Sequence, residues 1–150
     1  MIKKTEVRLI VTLLMGGLLF CGTASAQRKR PDRVRETKTI TGSFVGFEAG
    51  DYLHAIVKRS NGERISFFLM KPGIEYFLVL RKDEPLELTY QVVDTYIPEA
   101  GDMETIKRLI AARVSGQTYP AWWADIKTKF TVAQLRKKYG PLVDASTIEP

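Results

Sequence analysis

The dipeptide Asn61-Gly62 lies between two segments that alternate apolar and polar residues, and it constrains the fold more than any other feature of the chain. Residues 52–60 (YLHAIVKRS) and 63–70 (ERISFFLM) both have the two-residue period of a β-strand. Because Asn and Gly tolerate positive φ, the pair predicts a hairpin with a two-residue loop. The chain therefore contains at least one antiparallel strand pair.

A two-residue loop also predicts which residues face each other. In that register Ala55 faces Phe68, and Arg59 faces Arg64. Two arginines across a strand pair repel each other mildly, and such a pair can attract an anion. We predict that one face of the hairpin packs on the core, and it holds Tyr52, His54, Ile56, Lys58, Ile65, Phe67 and Leu69.

Two further segments are typical of strands. Residues 38–47 (KTITGSFVGF) alternate, and Gly42 and Gly46 within them indicate a bulge or a sharp bend. Residues 86–94 (LELTYQVVD) also alternate. Their apolar side is formed by Leu86, Leu88, Tyr90 and Val92.

Two segments fit either a helix or a strand. Residues 74–80 (IEYFLVL) are a short apolar run, which does not distinguish a buried helix from a strand. Residues 103–115 (METIKRLIAARVS) fit both periods. Because four strands with a bend need a fifth to close the sheet edge, we favour a strand over residues 105–115.

The C-terminal part of the chain, residues 116–150, is predicted to be an extension with one helix near 131–139. The sequence T-x-x-Q at Thr131–Gln134 is a capping box, and Gly140-Pro141 is expected to end the helix. The adjacent Trp122 and Trp123 do not pack easily on one side of an element. They form either a hydrophobic plug or an aromatic anchor for a partner or a sugar.

This order of elements resembles the OB-fold, a five-stranded Greek-key barrel that commonly has a helix between its third and fourth strands. The resemblance covers residues 38–115 and rests on element order and the glycine bend. It implies a mainly β protein, a small OB-like five-stranded barrel with a C-terminal helical extension, and it implies ligand binding across strands two and three. On this chain that face includes Arg59, Arg64 and Phe68. If 74–80 is a strand and 103–115 a helix, the fold is instead a general α+β domain.

The first 26 residues have the pattern of a secretory signal peptide. A basic start is followed by the apolar run 9–20, which is too short to span a bilayer, and then by Ala24-Ser25-Ala26. We expect cleavage after Ala26 and export, with the bacterial periplasm as the destination. Lipidation at Cys21 is the alternative, although Phe20 occupies a position where such sites need a small residue.

The net positive charge of the chain lies in its first 39 residues. The chain has a net charge of +6, yet residues 40–150 contain 14 basic and 14 acidic residues. Residues 27–37 are predicted to form a basic flexible tail, which is either a spacer or a contact with an anionic surface. A neutral domain speaks against nucleic acid as the main partner, since such domains usually carry positive charge on the folded face.

Catalytic and metal-binding patterns are absent from the sequence. The chain has one His and one Cys, too few for a zinc site, and no phosphate-binding glycine motif. The sequence therefore predicts no catalytic residue, no metal and no cofactor. We expect a non-enzymatic binding module that does not span a membrane and contacts a protein or an envelope polymer through the hairpin face and Trp122-Trp123. The alternative is a binder of single-stranded nucleic acid or another anionic polymer.

Overall fold

The computed structural model describes residues 31–148, and the protein is mainly β. The signal peptide at 1–26 and the first part of the tail, 27–30, lie outside the described residues. The elements in chain order are β1 (Arg33–Ala49), β2 (Leu53–Lys58), β3 (Arg64–Leu69), α1 (Ile74–Val79), β4 (Pro85–Ile97), β5 (Asp102–Val114), β6 (Gln117–Thr118), α2 (Tyr119–Lys129) and α3 (Val132–Ala145).

The six strands form one sheet in the order β3-β2-β1-β4-β5-β6, and neighbours in this order are antiparallel. In addition, β3 pairs in parallel with β5, where Phe68 faces Arg108 and Leu69 faces Leu109. The strand expected over 105–115 is confirmed as β5, and the ambiguous segment 74–80 forms the helix α1.

Strand β1 is longer than the sequence predicts. It begins at Arg33, so residues 33–37, which we assigned to the basic tail, belong to β1 and pair with β4 around a bulge between Val34 and Glu36. The predicted irregularity is confirmed as a register shift between Phe44 and Gly46. Gly42 is needed for a close approach, because a Cβ there would lie 2.6 Å from Cγ1 of Val57.

The loop of the β2–β3 hairpin contains three residues, 60–62, so the predicted two-residue loop is wrong. The backbone N–H of Arg59 donates to the oxygen of Glu63, and the N–H of Gly62 donates to the oxygen of Arg59, both at 2.9 Å. Gly62 has a φ of 85°. This is the three-residue hairpin loop in which a type I turn is followed by a left-handed residue.

The longer loop shifts the register by one residue, which reverses the side chains of one strand. Strand β3 keeps its predicted inward face, with Ile65 and Phe67 buried. Strand β2 turns over, so that Ala55 faces Phe67 and both Ala55 and Val57 are fully buried. The predicted core face was therefore wrong for His54 and Lys58, which point to the opposite face and are not buried. Ile56 points to that opposite face as well, but it is buried there, so only its predicted face was wrong.

The buried positions of β4 change from one face of the strand to the other. Near its start they follow the predicted pattern, whereas further along Val92 is only half-buried and Val93 is fully buried. Val93 faces Ile106 on β5. The first set is Leu86, Leu88 and Tyr90, and the second is Val93, Thr95 and Ile97. The two halves of this long strand therefore bury opposite faces, which a single alternating pattern does not predict.

All three helices contribute buried side chains to the hydrophobic core of the sheet. In α1, the buried residues Ile74, Phe77 and Leu78 have the spacing of one helix face. Helix α2 has Thr118 as its N-cap, and its buried residues are Tyr119, Trp122 and Ile126. The predicted capping box of α3 is confirmed, because the side chains of Thr131 and Gln134 each accept a backbone N–H of the other residue.

Helix α3 continues to Ala145, so the predicted end at Gly140-Pro141 is wrong. A proline inside a helix removes one backbone hydrogen bond and must be offset by other contacts. Here the segment after the helix is bound to β1. The N–H of Phe47 donates to the oxygen of Ser146 at 2.9 Å, and the N–H of Ile148 donates to the oxygen of Phe47 at 2.8 Å. This tertiary anchor explains why the helix passes through the proline.

Candidate binding surface

The outward face of the β2–β3 hairpin has a group of three aromatic side chains, Tyr52, His54 and Phe68, which we call the aromatic cluster. His54 faces Phe68 across the strands, and their ring centroids are 4.1 Å apart. The rings of Tyr52 and Phe68 are 5.8 Å apart. All three side chains are half-buried. The register shift creates this cluster, because it turns His54 outward beside Phe68.

Tyr52 is held in place by a hydrogen bond to a residue outside the hairpin. Its hydroxyl donates to Oε2 of Glu99 at 2.7 Å. This bond lowers the pKa of the Glu99 carboxyl and raises the pKa of the Tyr52 hydroxyl, since it requires the ionised acid and the neutral phenol. The phenol ring is therefore fixed at one end of the aromatic cluster at neutral pH.

The other end of the same face is cationic. Lys58 faces Arg64, and both are exposed. Alternation along β3 places Arg64 on the same side as Phe68. The expectation that Arg59 faces Arg64 was wrong, because Arg59 is one position further along and its guanidinium lies 3.0 Å from Oε2 of Glu63. The pair of facing cations exists, but Lys58 has replaced Arg59 in it.

A cleft of about 540 Å³ lies beside the hairpin, where β3 meets β5. Arg108, which faces Phe68 in the parallel pair, is bound to Asp32 at 2.7 Å and to Oε1 of Gln91 at 3.0 Å. These contacts fix the guanidinium and partly neutralise it. The residues that line the cleft are Met70, Lys71, Gln91, Arg108 and Ile110.

The tryptophan pair lies on α2, away from the hairpin face. Trp122 is buried, with its ring 5.6 Å from Phe77 in an edge-to-face arrangement. Trp123 is half-buried and covers Gly73, and Nζ of Lys127 lies 5.8 Å from its ring. One indole thus packs inward and its neighbour lies at the surface.

The start of α2 is tied to the loop before α1. The hydroxyl of Tyr119 donates to the oxygen of Pro72 at 2.7 Å. Burial raises the pKa of Tyr119 to about 12, so the phenol remains a donor at neutral pH. This bond fixes the helix that carries Trp122 and Trp123.

The sequence-predicted residues therefore separate into two groups. Arg64 and Phe68 share the outward face of the hairpin, while Arg59 is paired with Glu63 and the tryptophans belong to the helices. Sequence reasoning missed Tyr52 and His54 as outward residues, and it missed Arg108. The loop length hid the first two, and the parallel pairing that places Arg108 beside Phe68 has no local sequence signal.

The arrangement is suited to binding by ring stacking and by cations. Within residues 31–148, no group of three or more His, Cys, Asp or Glu side chains is placed to hold a metal ion. None of the helices in this part of the chain has both the length and the hydropathy needed to cross a bilayer. Comparison of the chain with protein-family models, curated proteins and solved structures gives no match.

Proposed function

We propose that the protein is an exported, non-enzymatic binding module that holds an anionic polymer of the bacterial envelope on the outward face of the β2–β3 hairpin. One observation carries this proposal: the aromatic cluster and the facing cations Lys58 and Arg64 lie on a single strand-pair face. In an extended polymer of this kind, the sugars would stack on the aromatic rings and the anionic groups would pair with Lys58 and Arg64.

We also propose that the protein has the architecture of an OB-like five-stranded barrel. The support is the strand order, the parallel pairing of β3 with β5, and the position of α1 between β3 and β4. In OB-folds the face of strands two and three and the adjoining loops bind oligosaccharides and oligonucleotides. The aromatic cluster lies on the corresponding strands here. Because one fold serves many functions, the side chains on this face carry the argument.

Stacking would supply most of the affinity. An aromatic ring that stacks on a ligand base contributes about 1–3 kcal/mol by alanine substitution. Exposed cations contribute less, and salt screens their attraction. We therefore expect that loss of the Phe68 ring reduces affinity at every salt concentration, whereas loss of the Arg64 charge matters most at low salt.

Single-stranded nucleic acid is the second candidate ligand, and the aromatic cluster is the observation that favours it. Bases stack on aromatic side chains with little dependence on sequence. The signal-peptide pattern of residues 1–26 favours the envelope polymer instead, because an exported protein meets the polymers of the envelope rather than the nucleic acid of the cytoplasm.

Binding is tested by fluorescence anisotropy with two labelled probes, a heparin oligosaccharide as a sulfated polysaccharide and an oligodeoxythymidine. We expect saturable binding of the polysaccharide, weakened roughly 5- to 150-fold by Phe68→Ala. Arg64→Ala should flatten the salt dependence. The matched control is Arg113→Ala, which removes an exposed arginine that pairs with Glu87 on other strands.

Each outcome separates the candidates. Tighter binding of the oligodeoxythymidine, lost in Phe68→Ala, would favour the nucleic-acid function. Binding that is equal in Phe68→Ala and Arg113→Ala would refute the hairpin face as the site. Trp123→Ala tests whether the half-buried indole on α2 provides a second contact.

Export rests on residues 1–26 alone, and it is tested separately. Mass spectrometry of the protein purified from cells expressing the full chain should give a mature N-terminus at Gln27. An N-terminal lipid on Cys21 would support the lipoprotein alternative, and an intact N-terminus in the cytoplasm would refute export.

A further inference from the structure

The first half of β1 has one edge that no described strand covers. Strand β4 pairs with residues Arg33–Ser43 of β1, whereas β2 pairs on the opposite side only with Ser43–Ala49. Within residues 31–148, the side of 33–42 opposite β4 therefore has no strand partner. The side chains of 33–39 are all exposed. Every second backbone N–H and C=O along such an edge is directed away from the sheet and can pair with another strand.

The charges on this edge have both signs, and they are Arg33, Arg35, Glu36 and Lys38. Arg35 is bound to Asp94 of β4 at 2.9 Å. Glu36 and Lys38 lie on either side of Thr37, and their side chains form an ion pair at 2.9 Å on the surface of β1. Edges that resist association carry charged side chains, prolines or bulges, and a bulge lies between Val34 and Glu36. Beyond that bulge, the opposite signs of Glu36 and Lys38 fit a partner strand with the reverse order of charges.

A second copy of this segment, placed antiparallel, has that reverse order. We propose that the protein forms a two-fold symmetric dimer in which β1 pairs with β1 of a second copy, centred on Thr37. Glu36 of each copy then faces Lys38 of the other, so both charge pairs are satisfied across the interface. The bulge between Val34 and Glu36 interrupts regular pairing beyond Glu36, so the Glu36–Lys38 contacts set the register.

The two-fold arrangement follows from the sequence of the edge itself. A C2 interface uses the same patch on both copies, so a residue pair i and j occurs twice. Antiparallel pairing about Thr37 gives two Glu36–Lys38 contacts and places a small polar residue opposite itself. The dimer would continue the sheet from β1 of one copy to β1 of the next. The proposed ligand face lies on β2 and β3 instead, so dimerisation does not depend on the ligand.

Charge reversals test this register directly. Sedimentation velocity over a concentration series, with protein purified from cells expressing the full chain, should show a monomer–dimer equilibrium for the natural sequence. Glu36→Lys alone places like charges opposite each other twice, and so does Lys38→Glu alone. Each should weaken the dimer at least about tenfold. The double variant Glu36→Lys/Lys38→Glu restores both pairs and should dimerise as the natural protein does.

Mixing the two single variants gives the sharpest result. One copy then has two acidic residues and the other two basic residues at 36 and 38. An equimolar mixture should therefore form a heterodimer more tightly than either variant alone forms a homodimer. The control is Glu87→Lys, a reversal of an exposed charge that pairs with Arg113 away from the free edge. It should leave the dimer unchanged.

Three outcomes would overturn the proposal. These are a natural protein that remains monomeric throughout the concentration series, a dimer that persists in both single reversals, and a mixture of single variants that shows no association. Far-ultraviolet circular dichroism of each variant establishes that the changes act on association and not on folding.

Discussion

The substitution Gly73→Ala tests how α1 is joined to α2. Gly73 is the N-cap of α1 and has a φ of 82°, a conformation that L-residues seldom adopt. The indole of Trp123 also lies directly over it. A Cβ at Gly73 would be 2.2 Å from Cζ3 of that ring, well inside contact distance. Two separate costs therefore apply to one added methyl group.

The magnitude follows from adding these costs. A left-handed backbone costs a non-glycine residue about 1–2 kcal/mol. Insertion of a methyl group into a packed contact costs about 1–3 kcal/mol more. We expect Gly73→Ala to lower the free energy of unfolding by about 2–5 kcal/mol. Gly62 is the matched control, because its φ is 85° and no atom lies within 4 Å of the added Cβ. Gly62→Ala should cost only about 1–2 kcal/mol.

Urea unfolding followed by far-ultraviolet circular dichroism measures all variants on one scale. Trp123→Ala removes the ring that the methyl group would strike, so Gly73→Ala should cost less in that background by about 1–3 kcal/mol. The reasoning would be refuted if Gly73→Ala and Gly62→Ala lowered stability equally, or if the cost of Gly73→Ala were unchanged without the Trp123 ring.

Two further predictions concern the core and its pH dependence. Leu135 of α3 is fully buried, so Leu135→Ala should lower the free energy of unfolding by about 2–5 kcal/mol in urea, and a loss under 1 kcal/mol would contradict the packing of α3 on the core. Burial raises the pKa of the Glu75 carboxyl above 4.5, so the folded state holds its proton more tightly than the unfolded state does. The contribution of Glu75 to stability should thus be fully present below the unfolded pKa and be lost as pH rises through the raised folded pKa. Glu75→Gln should remove this decline. If the difference in the free energy of unfolding between Glu75→Gln and the natural protein is the same at pH 4 and pH 7, the prediction is wrong.

The strands were predictable because their signals are local. Alternation in 38–47, 52–60, 63–70 and 86–94 places a strand in each segment, and β1 to β4 all include most of the expected residues. The capping box at Thr131 was equally local, since its two side chains are three residues apart. Helix α2 also begins at such a local signal, an N-cap Thr118 followed closely by Pro120.

The candidate surface was only partly predictable, because it depends on a loop that differs by one residue. Asn61-Gly62 correctly marked the turn, yet the sequence does not determine whether Ser60 belongs to the strand or to the loop. That single residue decides whether His54 points inward or joins Phe68 on the outside. Phe68 itself was found from the resemblance to OB-folds, and Arg108 was not, since it comes from a distant strand.

By itself, the sequence determined the strand segments, the central turn, the bend near Gly46 and the start of the last helix, because each depends on neighbouring residues and short-range sterics. Tertiary structure decided the hairpin register, the buried face of each half of β4 and the passage of α3 through Pro141. In each of these cases, competing local conformations lie close in free energy, and the choice between them is made by contacts with residues far away in the chain, such as Phe47 with Ser146 and Ile148.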